Sequence, residues 1–532
     1  MNLVQETPLP PFKNIFWFAV IIVLTAGLSL VSIHLPLGRD EGVAAYFGWQ
    51  VLQGKAVYKD LYHFNFPGIF WTYALALKIF GARPEAVNIF DLIFRLLTIS
   101  GVYLAASRLF GTRTALWSMA IYGIFSTVVY NSYWLNAQKE TFALGALAWC
   151  LFFLSMGLSQ EGLKKFWLFM AGLSGFAAML YKPTVALAPG FAGLYLLFSK
   201  DYSLRERGSG VFIFGLGFAA LALLSGAYLH ATGSFSEMVK QVFIFGVNYG
   251  GQYYKGGFKV FGLAAWKILV WAINFGFLSV CSVLGALAMR KAGARGFNLL
   301  FWFGLGLFLN ILVQLKFFTY QFMVLILPLS IFAGAFFGVY FKNLFLEQDK
   351  TARAAVFLLS AFLLAANLEQ DFSRYPRELL YDLKMINTDD FLEKYGKWGS
   401  GDISAAASYK AARYLKEQTE RSDQVLVFSL EPGLNFLAQR SSPTRFCYDL
   451  PLTYQYGGER FKSYQADLKK EFISGLSANP PVYIVVVEKD NSNIEPMDSF
   501  EQMLGFVEFR SFLEQNYYLE TKIEHYYLYK KK

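Results

Sequence analysis

Charged side chains are scarce in this chain: Asp, Glu, Lys and Arg supply 16% of its 532 residues, against about a quarter in soluble domains. That deficit, with 55% apolar residues, excludes an ordinary water-soluble enzyme and makes the lipid bilayer part of the solvent. Cysteine is sparse too. Cys150 and Cys281 fall in apolar runs and Cys447 in a polar stretch, so no disulfide framework is legible and the redox compartment stays open. The four histidines, His34, His63, His230 and His525, have no metal-ligand spacing. No basic stripe is interleaved with aromatics, so the net charge of +10 excludes nucleic acid as the partner and reads as the Lys and Arg of cytoplasmic loops. No internal repeat is visible.

What is present is a succession of apolar runs of the length that crosses about 30 Å of hydrocarbon. The pattern predicts spans near 15–36, 88–108, 114–131, 139–158, 166–181, 184–199, 210–230, 262–289, 297–315, 318–341 and 353–368, about eleven transmembrane helices in a multi-pass protein. The first run is too long for a signal-peptide core and has no small-residue cleavage site after it, so it reads as a retained span. With the N-terminus inside, the basic loops carrying Arg108 and Arg113, Lys164 and Lys165, Lys200, Arg205 and Arg207, Arg290, Lys291 and Arg295, and Lys342, Lys350 and Arg353 all face the cytoplasm. Residues 35–87, the loop 231–261 and everything after about 369 then lie outside. Within the first outer loop, "FPGIFWTYALALKIFG" (66–81) is too short to cross and reads as an interfacial or re-entrant helix.

Three regions follow: a polytopic membrane domain over 1–368, whose first outer loop is 37–87; a linker, 369–400; and an extracytoplasmic α/β domain, 401–532. In the last, helix-like stretches near 404–420, at "PGLNFLAQ" and near 459–475 and 499–514 alternate with strand-like "QVLVFSL" (424–430), "RFCYD" (445–449) and "VYIVVVE" (482–488), before "YYLETKIEHYYLYK". Continuous Val-rich strands between helices predict a mostly parallel sheet. This tail has no Gly-rich phosphate fingerprint, metal-ligand cluster or nucleophile elbow.

Four groups of residues can carry chemistry, and each has a plain structural alternative. Arg39, Asp40 and Glu41 end the first span; Asp40 suits the N-cap of a surface helix, and a carboxylate there can also act as a base on a substrate arriving from water. Glu140 opens an apolar helix, where a first-turn acid complements the helix dipole. Lys182, before Pro183, is a turn residue between spans or a cation for a lipid phosphate. Asp91 and Arg95, one turn apart inside a span, are an ion pair on one helix face or mark a pathway. Together they form a constellation of carboxylates (Asp40, Glu41, Glu140) and cations (Arg39, Arg95, Lys182) near the outer ends of the early spans, suited to an anionic lipid. His63 and Asn65 in the first outer loop, and Tyr249 and Tyr253 in the glycine-rich loop 231–261, are candidate contacts for a sugar or an acceptor. No cofactor is evident, and a divalent metal at Asp40, Glu41 or Glu140 fits the same residues.

"RDEG" (39–42), "YHFNFPGIFWTYALALKIFG" (62–81), "FRLLTISGVYLAASRLFG" (94–111), "NAQKETFAL" (136–144) and "YKPTVALAP" (181–189) resemble the GT-C membrane glycosyltransferases, specifically the dolichyl-phosphate-mannose protein mannosyltransferase and bacterial aminoarabinose transferase family. The tail at "VLVFSLEPGLNFLAQRSSPTRFCYDLPL" (425–452) is similar to the extracytoplasmic domain of such bacterial enzymes. The resemblance implies a bacterial inner-membrane enzyme transferring a sugar, with inversion, from a polyprenyl-phosphate donor to a glycan, lipid or protein acceptor. It makes Asp40 the base, with Glu41 beside it, and matches Glu140 to a second acidic position, Lys182 to a Lys opening the sixth span and Arg95 to an Arg of the second. One departure is visible: relatives often carry Lys-Pro-Pro where this chain has Phe66, Pro67 and Gly68, and Lys59 or Lys55 can stand in. A transporter or flippase of lipid-linked saccharides would show inverted repeats and polar helix breaks. A polymerase or ligase would concentrate Arg and His in one large outer loop; neither pattern is present in the sequence.

Overall fold

The computed structural model describes residues 11–127, 136–159, 162–251, 259–294, 296–341, 375–398, 403–492 and 495–532, together with 358, 361, 364 and 365. By contacts the chain divides into two compact units, each assembled from separate stretches. The first comprises Met1–Ile33, Ile89–Gly226 and Gly256–Pro376, and the second His34–Asn88, Ala227–Lys255 and Arg377–Lys532. Residues 34–88 and 227–255 are thus grouped with the C-terminal segment.

The first unit is helical and has the character of a membrane protein. Six helices among the described residues are long and apolar enough to cross a bilayer, Lys13–Leu30, Pro84–Phe110, Lys139–Gly157, Leu204–Ala231, Gly296–Gln314 and Thr319–Gly338, and a seventh crossing is made if Lys259–Asn274 and Gly276–Lys291, bent by 95° at their junction, count as one. The expected count of eleven is not confirmed among the described residues. Lys165–Met179 and Pro183–Phe198 stop short of the usual span length because Lys182 and Pro183 break the run between them. The span expected over 114–131 appears as Thr112–Thr127, with 128–131 outside the described residues, as is nearly all of 353–368. A two-stranded turn, β1 (Leu158–Ser159) with β2 (Gly162–Leu163), joins two of the helices.

Lipid tails are as apolar as leucine, so helices here associate through close packing of small residues. Gly306 faces the chain at Leu187 and Ala188, and a Cβ on it would lie 2.6 Å from the Ala188 Cα. The contact brings Gly296–Gln314 against Leu187–Phe198, and only a residue without a side chain fits it.

The second unit contains a four-stranded sheet of β3 (Val425–Phe428), β4 (Tyr483–Val487), β5 (Tyr517–Ile523) and β6 (Tyr526–Lys531), in the order β3-β4-β6-β5. Only β3 and β4 are parallel; β6 runs antiparallel to both its neighbours. The expectation of a mostly parallel sheet is corrected to a mixed one, because the tail closes with a hairpin, whose strands can only be antiparallel. Every residue of β3 and β4 is buried, since both faces are covered. Leu426, Phe428, Ile484 and Val486 pack against Phe472 and Phe509, and Val425, Val427, Val485 and Val487 against Ala407, Ala411 and Leu434. "RFCYD" forms no strand, and the stretch 499–514 forms two helices, Ser499–Gly505 and Val507–Asn516, instead of one.

The first outer loop supplies this unit with two helices, Arg39–Leu52 and Gly68–Phe80, the second matching the short helix expected over 66–81. Arg39–Leu52 is buried from Glu41 to Gln50. A Cβ on Gly42 would sit 2.8 Å from the Gly433 Cα. The backbone N–H of Ser442 donates to the Tyr46 hydroxyl at 2.8 Å, and Gln50 Nε2 donates to Ser441 Oγ at 3.0 Å.

Substituting Gly306→Val is expected to lower the melting temperature of the detergent-solubilised protein, in keeping with the ~1–3 kcal/mol cost of overpacking. Thermal unfolding followed by size-exclusion chromatography reads it, and an unchanged midpoint would remove this contact from the packing scheme.

Candidate active site

Asp40 is the second residue of helix Arg39–Leu52 and is exposed. It is not the N-cap expected of it: Gly38 holds that place, with no side-chain cap, because the helix starts two residues earlier than the charge pattern suggests. Glu41 beside it is 4% exposed. Arg39 turns to the C-terminal segment of the same unit, where its Nη2 donates to the Asp490 carbonyl at 2.6 Å.

Tyr448 is the residue that sequence reasoning missed. It is 5% exposed, and its hydroxyl has no hydrogen-bond partner among the described residues. Its ring lies 5.3 Å from that of His63. Burial, then the neighbouring Cys447, Tyr249 and Asp40, raise the phenol well above its usual range. The only local signal was a run of chemically distinct residues, Cys447, Tyr448 and Asp449, in a stretch that had been expected to be a strand.

His63 is buried among the rings of Phe47, Phe64 and Phe70. Its Nδ1 accepts from the Asn65 backbone N–H at 3.0 Å, and its own N–H donates to Gln241 Oε1 at 2.9 Å. Asn65 therefore enters through its backbone, and its carbonyl accepts from the Tyr58 hydroxyl at 2.7 Å. Half-buried Tyr249 joins the rings of Phe64, Phe245 and Tyr454 at 4.9, 6.1 and 5.4 Å, following a π-helical turn over Lys240–Phe245. Tyr253 lies outside the described residues. Arg445 ties the three stretches of this unit together: it donates to Glu237 Oε2 and to Glu471 Oε2, both at 2.7 Å, while its guanidinium stands 5.6 Å from the Tyr62 ring.

Behind Arg39 is a buried acidic group. The Asp490 carboxylate accepts from Ser429 Oγ, the Leu430 N–H and both the N–H and Oγ of Ser499. Asp449 is 1% exposed; burial and then the Asp490 charge push it up to about 8, against smaller opposing effects of Ser499, its own backbone and Arg39. Burial and then Asp449 push Glu495 up to about 8 as well.

In the membrane unit the candidates are all ion-paired. Arg95 Nη2 lies 2.7 Å from Asp91 Oδ2 and donates to Asn136 Oδ1 at 3.3 Å, and both charged residues line a small cavity with Thr98, Tyr122, Ser126 and Thr141. Lys182 Nζ lies 2.5 Å from Glu140 Oε1, with Glu140 fully buried, and 5.7 Å from the Tyr320 ring. Glu140 stands in the first turn of helix Lys139–Gly157. No group of three or more His, Cys, Asp or Glu among the described residues is arranged to hold a metal.

The family described as dolichyl-phosphate-mannose-protein mannosyltransferase matches residues 65–229. Among solved structures, the chain is similar to ArnT from Cupriavidus metallidurans bound to undecaprenyl phosphate, with 15% identity and a TM-score of 0.58 over 97% of this chain and 98% of that one. The apo state of the same protein matches over the same shares at 14% identity and a TM-score of 0.58. The arabinofuranosyltransferase AftD from Mycobacteria matches 99% of this chain and 40% of its own length, at 14% identity and a TM-score of 0.50. No curated protein matches in sequence. The chain thus has the ArnT-like GT-C fold, with a small C-terminal sheet domain.

Removing one member of a buried ion pair costs ~3–5 kcal/mol. Lys182→Met is therefore expected to lower the melting temperature, and adding Glu140→Gln to restore most of it; a double variant no more stable than the single one would deny the pair this role. Asp449 and Glu495 bind protons more tightly folded than unfolded, so the stability they contribute is complete below about pH 4 and is lost as pH rises toward 8. Asp449→Asn should accordingly raise the melting temperature more at pH 8 than at pH 5, and an equal effect at both would refute the assignment.

Proposed function

We propose that this chain is a membrane glycosyltransferase that moves a sugar, hexosyl or pentosyl, from a polyprenyl-phosphate carrier to a glycan, lipid or protein acceptor at the extracytoplasmic face of a bacterial inner membrane. Asp40 acts as the base and the anomeric centre is inverted. The observation that carries this reading is the setting of Asp40. It is an exposed carboxylate in the first turn of a helix buried from Glu41 to Gln50, in the same unit as the buried, unpartnered hydroxyl of Tyr448.

The chemistry asks for little else. A polyprenyl phosphate departs as a stable anion, so the acceptor hydroxyl needs a base while the leaving group needs cations and no strong acid. Within the membrane unit the cations suited to a lipid phosphate are Arg95 and Lys182. Each holds a carboxylate that a phosphate can replace as partner. Undecaprenyl phosphate is bound in the ArnT structure that shares this fold, which supports a lipid phosphate as the carrier. Tyr249 and the rings around it offer a face for a sugar, and a divalent ion is not required by these steps.

One observation favours a second reading, translocation of a lipid-linked sugar: the 95° break between Lys259–Asn274 and Gly276–Lys291 has the form of a discontinuous transporter helix. The two readings separate at Asp40. In membranes supplied with labelled polyprenyl-phosphate sugars, Asp40→Asn is expected to reduce transfer by at least ~100-fold with protein level and undecaprenyl phosphate affinity unchanged. Transfer at the wild-type rate would overturn the assignment of the base.

A further inference from the structure

The helix that carries Asp40 has no side-chain cap at its N-terminus. Its N-cap is Gly38, which contributes no side chain, and an uncapped N-terminal turn leaves its N–H groups unanswered and frays. The tether comes instead from residue 490. Arg39 Nη2 donates to the Asp490 carbonyl at 2.6 Å across a sequence separation of 451 residues. Asp490 is itself immobile: it is 0% exposed and its carboxylate accepts four hydrogen bonds, from Ser429 Oγ at 2.7 Å, the Leu430 N–H at 3.2 Å, the Ser499 N–H at 2.8 Å and Ser499 Oγ at 2.6 Å. One turn along, Gly42 meets Gly433 with no room for a Cβ, which prevents the helix from rolling about its axis.

From these contacts we infer that Arg39 and Asp490 are positioning residues for Asp40: the C-terminal sheet domain, through them, sets the direction of the carboxylate, and Arg39 is not a ligand of the lipid phosphate. The inference rests on the reading of Asp40 as base. With the backbone pinned at Arg39 and Gly42, the 100° step between successive helical residues determines where the Asp40 Cα–Cβ bond points. A misplacement of about 1 Å in such a group costs on the order of a hundredfold in rate.

The test uses the full-length protein in membranes with labelled polyprenyl-phosphate sugars as the turnover probe and undecaprenyl phosphate as the binding probe. Arg39→Gln is expected to reduce turnover about tenfold, leave undecaprenyl phosphate affinity unchanged and speed hydrogen exchange in residues 39–46, whereas Arg39→Lys recovers part of the loss. Ser441→Ala, which frees only the far end of the helix at Gln50, should change neither turnover nor exchange in residues 39–46. If Arg39→Gln does not accumulate, Gly42→Ala displaces the same turn from Gly433 and should give the same pattern. Normal turnover in Arg39→Gln, or a loss that lies wholly in undecaprenyl phosphate affinity, would overturn the inference. An inactive Asp40→Asn beside a fully active Arg39→Gln rejects the anchor alone, while an active Asp40→Asn rejects the base reading whatever Arg39 does.

Discussion

A charge removed from water must be answered by an opposite charge or by hydrogen-bond donors, since the desolvation cost of an isolated ion is several kcal/mol even after relaxation. Both units are organised around that constraint. In the membrane unit Asp91 answers Arg95 and Glu140 answers Lys182, so these four buried groups stand as two neutral pairs. In the second unit Asp490 is answered by four donors, while Asp449 and Glu495, which lack enough of them, respond by holding protons.

The second unit owes its coherence to contacts between residues far apart in the chain. Arg445 reaches Glu237 and Glu471, Gln241 receives from the His63 N–H and donates to the Tyr58 carbonyl, and the Tyr62 side chain joins the core beneath the sheet. Asp40 is therefore presented by a surface to which three stretches contribute, not by a loop acting alone. That arrangement suits a base, whose usefulness depends on being held still at a wet boundary.

Much of this was legible from local pattern. Asp91 and Arg95, four residues apart on one helix, could be read as a pair, and the Val-rich runs at 424–430 and 482–488 as buried strands. The short helix in the first outer loop followed from its length and its Pro-Gly start. What failed depended on distant residues. Glu140 and Lys182 are 42 positions apart, so each looked like a helix or turn residue with no partner implied. The start of helix Arg39–Leu52 was misjudged because its N-terminus is held by a carbonyl at 490 rather than by a cap. "RFCYD" had the residues of a strand, yet the Arg445 carbonyl accepts from the Tyr62 N–H and the Asp449 N–H donates to the Ser429 carbonyl, so its backbone is divided between separate segments. Tyr448 could not be nominated at all, since nothing within ten residues of it relates to Asp40.

The separation of 451 residues between Arg39 and Asp490 also sets an order of events during synthesis. At about 5–20 residues per second, Arg39 leaves the ribosome on the order of half a minute before its acceptor exists, and Gly42, Tyr46 and Gln50 wait nearly as long for Gly433, Ser442 and Ser441. Over that interval the first outer loop is an apolar, two-helix segment without its floor, while the helices of the membrane unit emerge one after another. The Asp40 carboxylate is consequently aligned late: the helices of the membrane unit are all made before the contact of Arg39 with Asp490 can form.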